Sequence, residues 1–180
     1  RGAIFTKMIE YIHENNIQKL AIDLRKNSGG REGFDNILLS YLEQEISKKY
    51  KKVEMTSSHS RYYRYMKNPL KQRVQDWLYR NIEYCKCDEE HFARRDRFSK
   101  FLNREPKYKF KGDTYVIIGS EVFSGASDFA ALAKYHVNNC TLVGSETRGN
   151  IHGNNSGYYY NFILPNTKFE VVVPRVFFEL

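Results

Sequence analysis

Two short apolar runs constrain this chain more than any other feature. Leu20-Ala-Ile-Asp-Leu24 and Thr114-Tyr-Val-Ile-Ile118 each run straight into small residues. The first leads to Ser28-Gly29-Gly30, the second to Ser124-Gly125-Ala126. Before the first lies a helical spacing, Ile4, Phe5, Met8, Ile9 and Ile12, which predicts an amphipathic helix over 2–16. After it, Phe34, Ile37, Leu38, Tyr41, Leu42 and Ile46 predict a long helix ending near Lys49, and Val53–Ser58 a further strand. Helix–strand–helix–strand order specifies an α/β chain with a mostly parallel sheet and crossover helices. In such sheets ligands gather beyond the carboxyl ends of the strands, where both small-residue segments fall.

The rest of the chain follows the same logic. A helix is expected from Gly125 to His136, a strand at Thr141–Gly144, and a Gly/Asn/Ser-rich loop over 145–156. Tyr158–Leu164 and Lys168–Val173 flank Pro165-Asn166-Thr167 and predict a C-terminal β-hairpin. Residues 59–111 carry Arg61-Tyr-Tyr-Arg-Tyr65 and two helical patterns, about 70–84 and 88–103, with no strand before Tyr115. They read as a helical insertion or lid. It is either a platform whose rings and guanidiniums meet a peptide, or a cap packing Trp77, Leu78, Phe92, Phe98 and Phe101 onto the sheet. The whole, residues 1–180, reads as a single domain cut from a longer protein at both ends.

Several functional classes drop out. No apolar run approaches the roughly 20 residues of a membrane helix. Cys85, Cys87 and Cys140 are odd in number and wrongly spaced for a disulfide framework. With no second Cys or His pair near Cys85-x-Cys87, no metal is expected. The 29 basic and 21 acidic residues leave a net charge of +8, concentrated between Lys48 and Lys111. That excess prompts a nucleic-acid reading, but no nucleic-acid fold signature accompanies it, and a solvated charged face accounts for it.

The two small-residue segments carry the chemistry. Paired glycines leave backbone N–H groups uncovered. A serine at a strand-to-helix junction sits at the positive end of a helix dipole. That place suits a nucleophile whose attack creates an oxyanion, although taken singly Gly29-Gly30 reads as a turn and Ser124 as an N-cap.

In order along the chain stand Asp23-Leu-Arg-x-Asn-x-Gly-Gly30, Phe123-Ser-x-Ala-x-Asp-Phe129 and Val143-Gly-x-Glu-Thr-x-Gly149, then Phe162-Ile-Leu-Pro-Asn-Thr-Lys168. This series resembles the tail-specific, or C-terminal processing, serine peptidases of the crotonase-like superfamily, over residues 1–58 and 111–180. The resemblance implies a crotonase-like βαβ core and hydrolysis of peptide bonds, with no cofactor. It implies a polypeptide substrate, approached at its C-terminal end, and a place outside the cytoplasm, in the periplasm or cell envelope. It makes Ser124 the nucleophile, with the N–H groups of Gly30 and Gly125 as the oxyanion hole. Gly29, Asp23, Arg25, Glu146 and Thr147 support the site. Many members carry a lysine base in a Thr-x-Gly-Lys tetrad; here it is Thr147-Arg148-Gly149-Asn150, and asparagine takes no proton. Another branch draws a histidine from an N-terminal part, which would lie outside this chain. Within the chain His152 is the candidate base; His13, His59, His91 and His136 are set aside. The missing lysine also motivates an alternative, a catalytically inactive member that binds peptide or lipid.

Overall fold

A computed structural model of the chain describes residues 2–30, 34–42, 48–55, 61–87, 91–95, 106–155 and 158–180. Two compact units emerge, each built from separated stretches of sequence. The first takes residues 1–49, 101–152 and Leu180, and the second 50–100 and 153–179.

The first unit holds helix α1 (Gly2–Glu14), strand β1 (Lys19–Asp23), helix α2 (Phe34–Leu42), strand β5 (Asp113–Ile118), helix α4 (Gly125–His136) and strand β6 (Cys140–Gly144). Its three strands pair in parallel, in the order β1-β5-β6. Lys19 lies opposite Asp113 and Asp23 opposite Ile117; Thr114 lies opposite Cys140 and Ile118 opposite Gly144. The register brings the carboxyl ends of all three strands to one edge. Val116, at the centre of the middle strand, is fully buried, as are Leu39 of α2 and Leu132 of α4. Each such side chain stabilises the fold by roughly 1.5–3 kcal/mol. From Ala126 to Ala133 every residue of α4 is buried, because small side chains let this helix lie close to its neighbours. Lys49 joins the first turns of α2 and α4: its Nζ pairs with Asp35 and stands 3.6 Å from Asp128 Oδ2. Each carboxylate also meets the positive end of its own helix dipole.

The second unit holds β2 (Lys52–Met55), a 3₁₀ turn (Tyr63–Tyr65), α3 (Pro69–Leu78) continuing as one π-helical turn (Tyr79–Glu83), and β3 (Tyr84–Lys86) and β4 (Phe92–Arg94). After these come β7 (Gly153–Asn154), β8 (Tyr159–Ile163), β9 (Glu170–Pro174) and β10 (Val176–Glu179). Five strands form a sheet in the order β3-β4-β2-β10-β7, antiparallel at every pairing; β8 and β9 make a separate hairpin. Met55, Tyr84 and Phe178 fill its core. Burial raises the Tyr84 phenol well above its ordinary range. At the centre Asp76 meets Arg175 at 2.6 Å, both side chains 2% exposed. Tyr63 and Tyr160 donate their hydroxyls to the same carboxylate, and the Arg175 guanidinium lies 4.2 Å from the Tyr160 ring centre.

The α/β class, the parallel sheet and the C-terminal hairpin are as expected from sequence. Several details differ. The strand at Val53 joins the antiparallel sheet instead of the parallel one, since its partner β10, with Phe178 opposite Val53, is far away in sequence and no local pattern names it. The segment read as a second helix contains β4, which pairs with β3 and β2, so the 59–111 insertion is only partly helical. Trp77 and Leu78 are exposed instead of packed on a sheet; of the five residues expected in a cap, Phe92 is buried, and Phe98 and Phe101 lie outside the described residues. The second helix of the chain ends at Leu42 as described; Lys48 and Lys49 are not helical, and 43–47 lie outside the described residues. The strand expected to Ser58 is described to Met55, and the 145–156 loop contains the two-residue β7.

Among the described residues no helix is long and apolar enough to cross a membrane, and no group of His, Cys, Asp and Glu is placed to hold a metal. Cys85 and Cys87 are exposed thiols and Cys140 is buried.

Candidate active site

At the carboxyl edge of the parallel sheet the segments after β1 and β5 meet. Ser124 opens α4 with φ 52° and ψ −131°, a conformation that side-chain-bearing residues rarely adopt. Its side chain makes no capping hydrogen bond, so it is not an ordinary N-cap. Its carbonyl, by contrast, is held twice, accepting from Ser127 Oγ at 2.8 Å and from Asp128 N at 3.0 Å. Ser124 is half-buried on this sharp strand-to-helix turn, and such strain persists only where the surroundings enforce it.

Gly29 supplies the enforcement. It has φ 105°, and a Cβ there would stand 2.7 Å from Ser124 Cβ and 2.8 Å from the Phe123 carbonyl oxygen. Only glycine lets the two turns approach so closely. Asn27 fixes the turn on both sides: its Oδ1 accepts the Gly29 N–H at 3.0 Å and its carbonyl accepts the Phe123 N–H at 3.3 Å. The Gly29 amide is thereby used. Gly30 is exposed, its N–H is unpaired among the described residues, and its nitrogen lies 3.6 Å from where a Cβ on Gly125 would stand. The structure thus brings Ser124, Gly125, Gly29 and Gly30 together in the first unit, and the amides of Gly30 and Gly125 donate no backbone hydrogen bond among the described residues.

Asp23 and Arg25 lie just before this turn. Asp23 Oδ1 accepts from the backbone N of Arg25 at 3.0 Å and from its Nε at 3.0 Å, and Oδ2 accepts from Nη2 at 2.7 Å. The hydrogen bonds from Arg25, side chain first, hold the Asp23 carboxyl down at about 2. The Glu146–Gly149 segment packs against the start of α4. Arg148 N donates to the Val122 carbonyl at 2.9 Å, Thr147 Oγ1 accepts from Gly149 N at 3.2 Å, and a Cβ on Gly149 would stand 2.4 Å from Ser127 Oγ. Glu146 is exposed and makes no ion pair or side-chain hydrogen bond among the described residues.

No hydrogen bond joins Ser124 Oγ to an imidazole or amine among the described residues. His152 is exposed; its backbone N donates to Asn150 Oδ1 at 2.9 Å and its carbonyl accepts from Leu180 N at 3.0 Å. His136 Nε2 bonds the Lys49 carbonyl at 2.9 Å, His13 stacks on Tyr108, and His59 lies outside the described residues. Asn27, Ser127 and Lys49 are the positioning residues that motif reading did not single out. For Asn27 the signal was there, since Asn-x-Gly is a side-chain-closed turn.

The sequence pattern of peptidase family S41 matches residues 2–161. Comparison with individually curated proteins gives no match. Among solved structures, mature CPAF is similar with a TM-score of 0.59 at 18% identity, over 97% of this chain and 38% of that one. Mature CPAF complexed with lactacystin gives 0.57 at 18% over 99% and 38%, and a serine-to-alanine mutant of CPAF gives 0.58 at 18% over 98% and 37%. At that identity these share the fold, and this chain spans under two fifths of their length. The extent of the family match is decisive: the chain belongs to peptidase family S41, a family of serine peptidases.

Proposed function

We propose that this chain is the core of a serine endopeptidase acting on polypeptides near an exposed C-terminal end, with Ser124 as nucleophile. The carrying observation is the enforced φ of 52° at Ser124, with its hydroxyl left out of the helix cap and Gly29 pressed behind it. Ser124 Oγ attacks the scissile carbonyl carbon and its proton passes to a general base. Charge develops on the carbonyl oxygen, which the N–H groups of Gly30 and Gly125 and the positive end of α4 stabilise; one such donor is worth about 3–4 kcal/mol of barrier elsewhere. The C–N bond then breaks, the amine leaves with the proton from the base, and water hydrolyses the acyl-enzyme by the same steps. The base comes from the longer protein, with His152 the internal candidate. No residue at Asn150 can serve, because an amide does not accept the proton.

A fluorophosphonate probe applied to the full-length protein tests this. Labelling at Ser124, together with casein hydrolysis that Ser124→Ala abolishes, is expected. Micromolar peptide binding that survives Ser124→Ala, without labelling or turnover in either form, would instead identify a binding module.

A further inference from the structure

The second unit carries an exposed apolar surface. Along α3 and its π-helical continuation, Leu70 is 75% exposed, Val74 52%, Trp77 55%, Leu78 40% and Ile82 41%. At 3.6 residues per turn, Leu70, Val74, Trp77 and Leu78 fall within an arc of about 100°. The opposite face holds the buried Asp76 with the half-buried Gln72, Gln75 and Tyr79. This helix therefore turns its polar side to the protein and its apolar side out, the reverse of a core helix. Contiguous exposed apolar surface of this kind marks a contact site.

The charges beside the stripe specify the contact. On the same helical wheel Lys71 borders the arc next to Leu78, while Arg73 and Arg80 border it next to Trp77. All three are exposed and none is ion-paired among the described residues. Exposed Arg61 and Arg64 precede the helix. The acidic groups of this stretch are already spent: Asp76 is held by Arg175 and Glu83 by Arg94 at 2.9 Å. A Trp/Leu/Ile stripe edged on both sides by long cations fits a helix lying in the interfacial plane of an anionic bilayer. Its apolar face sinks below the headgroups while lysine and arginine stems reach up to phosphates. Duplex nucleic acid offers the charge but nothing for the stripe. A second copy would set five cations against five.

We propose that the Leu70–Ile82 face is a docking surface for anionic lipid membranes. The test is flotation of the full-length protein with phosphatidylcholine vesicles, with and without phosphatidylserine. Binding to the phosphatidylserine vesicles is expected, weakening as ionic strength rises. A blue-shifted emission absent from Trp77→Phe should accompany it. The combined Lys71→Glu and Arg80→Glu variant, which spares Arg73 because its guanidinium lies 5.2 Å from the centre of the Tyr63 ring, should lose on the order of a hundredfold in partitioning. Leu70→Asp with Val74→Asp should lose it as well, while Ser124 labelling persists in both. The proposal is overturned by no flotation with anionic vesicles, or by flotation unchanged in these variants. It is equally overturned if the variants only alter oligomeric state, which assigns the face to a second copy, or only raise KM for a polypeptide, which assigns it to substrate.

Discussion

Ser124 and Gly29 form one strained pair, and each answers differently to substitution. Ser124 holds a backbone conformation that glycine adopts freely. Ser124→Gly should therefore raise stability by about 1 kcal/mol in a thermal melt while abolishing fluorophosphonate labelling, whereas Ser124→Ala abolishes labelling with little stability change. A melt in which the glycine variant is the less stable would argue that Ser124 is not strained. The neighbouring glycines separate just as sharply. Gly29→Ala places a Cβ 2.7 Å from Ser124 Cβ at φ 105° and should cost at least about 2 kcal/mol, with labelling lost. Gly30→Ala meets nothing within 4 Å and keeps its N–H, so labelling should survive within about tenfold. Asp23 adds a pH dependence. Its folded carboxyl is depressed from 3.8 to about 2 by Arg25, so its bracing is present above pH 3.8 and lost as pH falls toward 2. Both side chains are exposed to solvent, which keeps the effect small and local. Hydrogen exchange at Gly29 and Gly30 should rise through that window, and Asp23→Asn should remove the pH dependence.

At the scale of elements, Asp76 and Arg175 tie α3, the 3₁₀ turn and β8 to the residue between β9 and β10. The guanidinium is paired, stacked over Tyr160 and in contact with Met55 Sδ at 3.4 Å, yet its Nε has no partner among the described residues. Removing one partner strands a buried charge, so Asp76→Ala or Arg175→Met alone should cost about 3–5 kcal/mol in urea unfolding. The double variant should recover much of that, and a fully additive loss would show that the pair is not coupled. None of this is readable locally, because Asp76 and Arg175 are 99 positions apart in sequence. Elements with a dense local pattern were legible: β1, β5 and β6 as apolar runs, α4 as a small-residue helix between His136 and the Ser124 turn. The misreadings share one cause. Val53–Met55 alternates as any strand does, and its sheet was chosen by β10. Tyr84–Lys86 and Phe92–Arg94 are three residues each, too short for a period to show. Of the two readings of the insertion, the cap placed Trp77 and Leu78 on a sheet because of their apolarity, whereas the polar side of α3 is the side that Arg175 holds in.

For the whole molecule, the open question is the proton. The Ser124 hydroxyl, the amides of Gly30 and Gly125 and the dipole of α4 come from one unit assembled from residues 1–49, 101–152 and Leu180. The base does not join them among the described residues. Asn150 occupies the position where the family resemblance expects lysine, and its side chain is turned to the His152 backbone N–H. His152 is further held at its carbonyl by Leu180, next to the chain's last strand. The loop is tied at both backbone groups, His152 is exposed, and no side-chain hydrogen bond among the described residues orients its ring toward Ser124. The expected result is that His152→Ala in the full-length protein keeps kcat/KM within about threefold, since a general base contributes about 10²–10⁴-fold. Residues 1–180 alone should label with a fluorophosphonate at least about a hundredfold more slowly than the full-length protein, because the oxyanion donors remain and the base does not. In the full-length protein an acid limb in kcat/KM near pH 6.5, unchanged by His152→Ala, would point to an imidazole beyond this chain. A hundredfold loss on His152→Ala, with the acid limb abolished, would place the base in this loop instead. It would also mean that Asn150 and Leu180 set the angle of the ring, so that Asn150→Ala should then lower kcat while leaving KM in place.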